Sequence, residues 1–307
     1  MSRLLTKEAR MRLRFALALA LGTACAGTVA MAQKGDTPAP QSTPAPATPA
    51  PAQGATPAQA PLAPMLAHRA AYRLTLDRAR DNSNVVSARG AMIYEQADAC
   101  DGWATRQRFQ LTLTDRDGNE VETTSDYSTY EAKDGRSLRF SLTQTSQGAV
   151  SQRIQGDATL NADGTGTVRY TSPEAREMAL PPGTLLPMLH TTRSLQAARA
   201  GQRIMIAPLF DGTSADGAQD TTTAITGWTG PQNNARFPIL SPLGSARMRV
   251  AFFNREPGGQ SAGTGSPDYE VGLRYWENGV ADEMKMDFGD FTVNGEMIEL
   301  QPIPAGC

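Results

Sequence analysis

The stretch RFQLTLTDRDGNEVETTSDYSTYEAKDGRSLRFSL, residues 108–142, decides the fold class of this 307-residue chain. Apolar and polar residues alternate over residues 108–113 and again over 137–142, which is the period of a half-buried β-strand. Asp117-Gly118-Asn119 and Asp134-Gly135 lie between the alternating runs, and these residue types favour tight turns. The stretch therefore predicts three consecutive antiparallel strands, the middle one around 127–130, joined by hairpins.

The same alternation continues on both sides of this stretch and predicts ten further strands. Asn278-Gly279 marks one more two-residue hairpin turn, between two of these strands. The ten strands are expected at residues 71–77, 91–95, 158–160, 167–170, 203–207, 221–226, 247–253, 269–276, 280–288 and 291–300.

One segment, residues 184–200, has helical spacing instead of alternation. Leu185, Leu186 and Leu189 lie at roughly helical intervals, Thr184 is a candidate N-cap and Gly201 a candidate stop. We therefore predict a mainly β domain: a curved antiparallel meander, a half-barrel-like β-spiral, wrapped around one central helix. If the sheet leaves part of the helix open, Leu185, Leu186, Leu189 and His190 would line an apolar groove.

Residues 1–32 have the three parts of a secretory signal peptide. Basic residues come first, an apolar run at 15–21 follows, and Ala30-Met31-Ala32 fits a cleavage site. The alternative is a lipoprotein signal that ends at Cys25, but Gly22-Thr23-Ala24 lacks the usual large aliphatic residue. We expect export to the periplasm. No later stretch approaches the ~18 consecutive apolar residues that a spanning helix needs, so the chain is not expected to span a membrane.

Residues 33–64 are almost entirely Pro, Ala, Thr and Gln and are predicted to be a disordered linker. Residues 65–307 are then one domain, a length at which β-barrels remain single domains. The whole chain has 29 basic and 31 acidic residues, and removing the signal takes away five basic and one acidic residue. The mature chain would have a net charge of −6, which excludes nucleic acid as an expected partner.

Two cysteines remain after the signal is removed, Cys100 and Cys307. Thiols pair in an oxidising compartment, so we predict a disulfide between them that closes a loop of nearly the whole domain. Closing a loop of about 200 residues contributes at most roughly 5 kcal/mol in the chain-entropy description.

Local patterns that suggest chemistry have simpler explanations. Gly259-Gln260-Ser261-Ala262-Gly263 matches a nucleophile elbow, but that hydrolase class needs a later histidine, and His68 and His190 both precede the serine. Two distant histidines make a poor zinc site. The acidic turn at 115–119 lacks most of a calcium loop. We expect no catalytic residue, metal or cofactor.

Several short motifs in a fixed order resemble one protein family. They are the segment 66–81, Ala99-Cys100-Asp101-Gly102-Trp103, the run 180–185 with His190, the run 207–212 and the terminal cysteine. Together they resemble the EipB-like cell-envelope integrity proteins, over residues 66–307. The resemblance implies a periplasmic β-spiral around a helix, a disulfide between the matching cysteines, and a role in envelope homeostasis.

We therefore expect a non-enzymatic periplasmic protein of a Gram-negative cell that supports envelope integrity, most simply by binding an envelope protein. Two alternatives remain. One is a lipid or lipoprotein carrier with an apolar groove beside the helix, which the likeness of the family fold to such carriers suggests. The other is an envelope hydrolase whose site the sequence does not reveal.

Overall fold

The computed structural model describes residues 62–255, 266–304 and 306. The predicted signal peptide, residues 33–61 of the predicted linker, the Gly259–Gly263 pattern and Cys307 lie outside the described residues. The described chain forms one antiparallel sheet of fourteen strands and one helix, α1, at Pro187–Arg199. The strands are β1 His68–Ala79, β2 Val85–Asp98, β3 Gly102–Asp115, β4 Glu120–Ala132, β5 Ser137–Ser146, β6 Ala149–Leu160, β7 Gly166–Ser172, β8 Arg176–Leu180, β9 Ile204–Leu209, β10 Gln219–Thr229, β11 Ser245–Phe253, β12 Tyr269–Trp276, β13 Ala281–Asp287 and β14 Phe291–Pro302.

The sheet is open and its order follows from two meanders. The strands run β8-β7-β6-β5-β4-β3-β2-β1-β14-β13-β12-β11-β10-β9, so β1 and β14 pair in the middle and β8 and β9 are the edges. Helix α1 connects the two edge strands in the chain and packs against β9, β10 and β11. The predicted fold class is confirmed: a curved antiparallel sheet around a single helix.

The quoted stretch folds as predicted. Residues 109, 111 and 113 of β3 and 138, 140 and 142 of β5 are buried on one face, and polar residues between them face outward. Gly118 and Gly135 have φ of +82° and +68°, a conformation that favours glycine and permits the tight hairpins. One strand was missed, β8, because its sequence has no β-branched or aromatic residue.

Three clusters of buried side chains fill the space inside the sheet. The first lies across β1–β3 and β12–β14 and contains Tyr72, Leu111 and Trp276. The second lies across β5–β8 and includes Leu186, next to the helix. The third joins Leu195 of α1 to β10 and β11. Leu62, which the sequence placed in the linker, packs against this third cluster.

The helix starts three residues later than predicted. Thr184 is not its N-cap: the Thr184 hydroxyl donates to the carbonyl of Pro181 at 2.6 Å, within a turn. Leu185 instead pairs with Leu209 at the edge of β9. Leu186 occupies the N-cap position and Pro187 is the first helical residue, where the missing N–H costs nothing. Among the described residues, no helix has the length and apolarity that a bilayer crossing requires.

Leu186 and Leu189 of the predicted groove should contribute unequally to the free energy of unfolding. Leu186 is fully buried, whereas Leu189 is half-buried. Leu186→Ala should lower the free energy of unfolding by about 2–5 kcal/mol because it leaves a cavity in the core. Leu189→Ala should cost less than half as much. Denaturant unfolding monitored by circular dichroism measures both, and equal losses would contradict the packing described.

Candidate functional site

A buried carboxylate on β4 holds the N-terminus of the helix. The N-cap residue Leu186 offers no side-chain acceptor. Glu131, which is 2% exposed, fills this role from the sheet: its carboxylate accepts the N–H of Met188 at 2.8 Å and of Leu189 at 3.1 Å. Free N–H groups at a helix start favour an anion there. Glu131 therefore connects the helix directly to the half of the sheet that lies away from β9–β11.

Burial has a strong effect on this carboxyl group. It raises the pKa of Glu131 from its usual value to about 7, and the two backbone N–H bonds oppose that shift without cancelling it. The carboxyl group therefore changes its charge near neutral pH. Sequence analysis did not identify Glu131, although it stands in the inward register of β4 with Thr123 and Ser125.

Three tyrosines line the inside of the sheet near the helix: Tyr94 and Tyr127 interact with Glu131, and Tyr275 interacts with Tyr94. Tyr94 and Tyr275 contact the first apolar cluster, and Tyr127 contacts the second. All three are half-buried, although burial raises the pKa of each. The Tyr94 hydroxyl donates to Gln96 at 3.0 Å and the Tyr127 hydroxyl to the carbonyl of Asp211. The interior near the helix start is therefore lined by hydroxyl groups and not by a continuous apolar surface.

Both histidines are buried and uncharged at neutral pH. His68 Nδ1 donates to the Leu66 carbonyl at 2.7 Å, and its ring lies 5.6 Å from that of Tyr94. Nε2 of His68 has no hydrogen-bond partner among the described residues. Nε2 of His190 lies 3.5 Å from the hydroxyl oxygens of Thr221 and Thr223. Burial lowers the pKa of both rings, that of His190 to about 4.

The four residues of the predicted groove are not all accessible. Leu186 and His190 are buried in the interior, and Leu185 and Leu189 are half-buried. The Leu185 N–H donates to the Pro208 carbonyl, so Leu185 belongs to the border of β9. Leu189 lies against Gly135 in the β4–β5 turn. Of the four predicted residues, only Leu185 and Leu189 could therefore line a groove along the helix, one on each side.

The two edges of the sheet differ. The β8 edge carries charged residues, and the loop 211–218 covers it: Arg176 donates to the Ala215 carbonyl, and Met178 lies beside Gly217. The β9 edge carries Ile204 and Ile206, which are 60% and 73% exposed. They are the most exposed large apolar side chains of the described residues. The β9 edge is therefore the second candidate site of this protein.

The acidic patterns in the sequence have structural roles. Asp115 accepts the N–H groups of Asp117 at 3.0 Å and Asn119 at 2.8 Å, which makes it the organiser of the β3–β4 hairpin. Asp211 accepts the N–H of Thr213 in the loop that covers β8. Within the described part of the chain, no three His, Cys, Asp or Glu side chains come together as a metal site would require.

The disulfide remains a prediction, because Cys307 lies outside the described residues. The neighbouring geometry supports it. Gly306 donates its N–H to the Asp98 carbonyl at 3.3 Å, and the Cys100 N–H donates to the Asp98 side chain at 3.0 Å. The C-terminal end therefore returns to the β2–β3 turn that carries Cys100.

Removing Cys100 tests the predicted pairing. Native protein from an oxidising compartment should show no free thiol by titration, and Cys100→Ser should lower the melting temperature because the loop constraint is lost. The double variant Cys100→Ser with Cys307→Ser is the control and should melt at the same temperature as the single variant. Two titratable thiols in the native protein would contradict the pairing.

Replacing Glu131 tests its role as a helix cap. Glu131→Ala leaves two buried N–H groups without a partner, at about 1–3 kcal/mol each, whereas Glu131→Gln keeps one acceptor and should lose less. The raised pKa also predicts a pH effect. The folded state binds the proton more tightly than the unfolded state, so this group's contribution to stability falls as pH rises from about 4.5 to about 7.

Unfolding free energies of the natural protein and Glu131→Gln, measured from pH 4 to 8, isolate this contribution. Their difference should change over that window and stay constant above it. A difference that does not vary with pH would mean that Glu131 keeps an ordinary pKa in the folded protein.

Comparisons with known proteins agree with this fold. A profile of the EipB-like family matches residues 59–304. Cell envelope integrity protein EipB of Brucella abortus (strain 2308) is 28% identical over 247 residues, which are 79% of this chain and 86% of that protein. The crystal structure of a β-barrel-like protein of a domain of unknown function from Brucella abortus matches with a TM-score of 0.69 and 28% identity. The match covers 78% of this chain and 99% of the chain in that crystal structure. This chain therefore belongs to the EipB-like family, and its role is related to the cell envelope.

Proposed function

We propose that this protein acts in the periplasm as a non-enzymatic component that supports envelope integrity by binding another envelope protein. The predicted signal peptide at residues 1–32 supports the periplasmic location, and the name of the Brucella relative, a cell envelope integrity protein, supports the role in the envelope. The observation that carries the proposal is the β9 edge, where Ile204 and Ile206 are exposed on a strand that pairs with β10 on one side only. Exposed apolar side chains at an open edge favour protein association.

The residues that a hydrolase would use are engaged in structure. His68 and His190 are buried with lowered pKa values and lie on different elements. Glu131 has a pKa of about 7, as a general acid would, but both its oxygens hold the helix N-terminus. These assignments favour binding over catalysis as the activity of this chain.

A carrier role is the second candidate, supported by one observation. Tyr94, Tyr127 and Tyr275 are only half-buried on the inside of the sheet, which indicates space beside the helix N-terminus. Their hydroxyl groups favour a ligand that has polar groups as well as apolar surface. Mass spectrometry of an organic extract of the native protein tests this role. A stoichiometric lipid that is lost in Tyr275→Trp, with folding intact, would favour the carrier over the partner-binding protein.

Complementation tests the envelope role. Cells that lack this gene should become more sensitive to detergent, and the full chain should restore resistance. The chain without residues 1–32 should fail to restore it, because it is not exported. Restoration by this truncated form would contradict the periplasmic assignment. The purified chain should release no fragments from peptidoglycan, and measured release would favour the hydrolase.

A further inference from the structure

The backbone of β9 is as open as its side chains. The Ile225 N–H donates to the Arg203 carbonyl, so Met205 and Ala207 form the next bonded pairs with β10. The N–H and C=O groups of Ile204 and Ile206 therefore face away from β10. They have no other backbone hydrogen bond to the described residues. These two residues thus present four hydrogen-bonding groups and two apolar side chains along one edge.

The open part of this edge has a defined length. At one end the Gln202 N–H donates to the Ala197 carbonyl at the end of α1. At the other end the Pro208 carbonyl accepts the Leu185 N–H, and proline has no N–H of its own. Five residues, 203–207, lie between these two contacts with no strand on their outer side, and we call them the β9 window. Only an extended chain can place donors and acceptors against it at alternate positions.

The surroundings of the window define the chemistry of its occupant. On the outer face, β10 places Ala224 beside Ile204 and Thr222 beside Ile206, so the isoleucines have small, uncharged neighbours. Arg203 is exposed, and one N–H of its guanidinium donates to the Thr226 carbonyl of β10. It makes no ion pair with a carboxylate of the described residues, and residues 181–210 include no Asp or Glu. An occupant with apolar residues at alternate positions and an acidic residue beside Arg203 fits both features.

Residues 33–61 and 256–265, which lie outside the described residues, do not have this chemistry, and residues 1–32 are predicted to be removed. Residues 33–61 include eight prolines, their proline-free runs are at most five residues long, and they contain no large apolar side chain. Residues 256–265 contain none either. A second copy could pair its own window antiparallel to this one, but its window and the residues around it, 181–210, include no Asp or Glu that could pair with Arg203.

We infer that the β9 window binds an extended segment of a partner protein by strand addition. The segment has apolar residues at alternate positions and an acidic residue that pairs with Arg203. This inference rests on the proposed function, since it names the surface through which the envelope partner binds.

Site-specific photo-crosslinking in the native host tests the inference on the full chain. A benzophenone amino acid at position 204 should crosslink one envelope protein, and mass spectrometry should map the link to a segment of the stated pattern. The same probe at position 150 is the matched control, because Val150 is an apolar residue of similar exposure, 57%, on β6 and lies outside the β9 window. Crosslinking from position 150 should be at least tenfold weaker.

Substitutions at position 206 separate the backbone from the side chain. Ile206→Pro removes an N–H that does not bond to β10, so the fold should tolerate the substitution. A partner strand, however, would lose the donor that this N–H provides to one of its carbonyl groups. Ile206→Pro should reduce crosslinking from position 204 at least tenfold, and Ile206→Ala about twofold to fivefold. If Ile206→Pro lowers the melting temperature, a second experiment replaces it. The mapped partner segment is then synthesised with N-methyl groups on alternate amides, which removes their hydrogen-bond donors. Its affinity for the natural protein should then fall at least tenfold.

Each other outcome has its own meaning. Crosslinks to a second copy or to residues 33–61 would overturn the inference. So would equal crosslinking from positions 204 and 150, or equal effects of Ile206→Pro and Ile206→Ala. If position 204 yields no crosslink but fixed cells still show a partner on another surface, the inference fails and the proposed function stands. If no surface captures a partner, both fail.

Discussion

The contact between Glu131 and the start of α1 is the constraint on which the rest of the structure depends. The helix lies in the chain between the two edge strands, and it packs on β9–β11. Glu131 ties its other side to β4, on the opposite half of the sheet. A buried carboxylate with two backbone donors is favourable only while both donors stay in place. Glu131 therefore fixes where the helix starts relative to both halves of the sheet.

The strand content could be predicted from sequence because burial on one face requires period two. Phe109, Leu111 and Leu113 of β3 show this pattern, and the turn residues between the strands fix the hairpins. Prediction failed where local composition and tertiary packing disagree. Residues 176–180, Arg-Glu-Met-Ala-Leu, have the composition of a helix but form β8, since β7 offers them a partner. Thr184 is a residue type that favours caps, yet the acceptor for the Met188 N–H is Glu131, 57 residues before Met188 in the chain.

The candidate sites were harder to predict than the fold, for a physical reason. A charge in the inward register of a strand, as at Glu131, is a signal that the sequence does contain. The exposure of Ile204 and Ile206 has no such signal, since alternation looks the same in a central strand and in an edge strand. Only the strand order shows that β9 has a neighbouring strand, β10, on one side alone. The helix leucines show the converse: helical spacing identified them, but it did not distinguish buried Leu186 from half-buried Leu189.

The two sheet edges show how this fold separates stability from recognition. A closed barrel has no edge, and an open sheet must protect each edge against unwanted pairing. Here β8 has charges and a covering loop, while α1 and Leu185 border β9 without covering its centre. Because the side chains of Ile204 and Ile206 are 60% and 73% exposed, losing them removes little packing from the core. An edge that contributes so little to stability is available for binding.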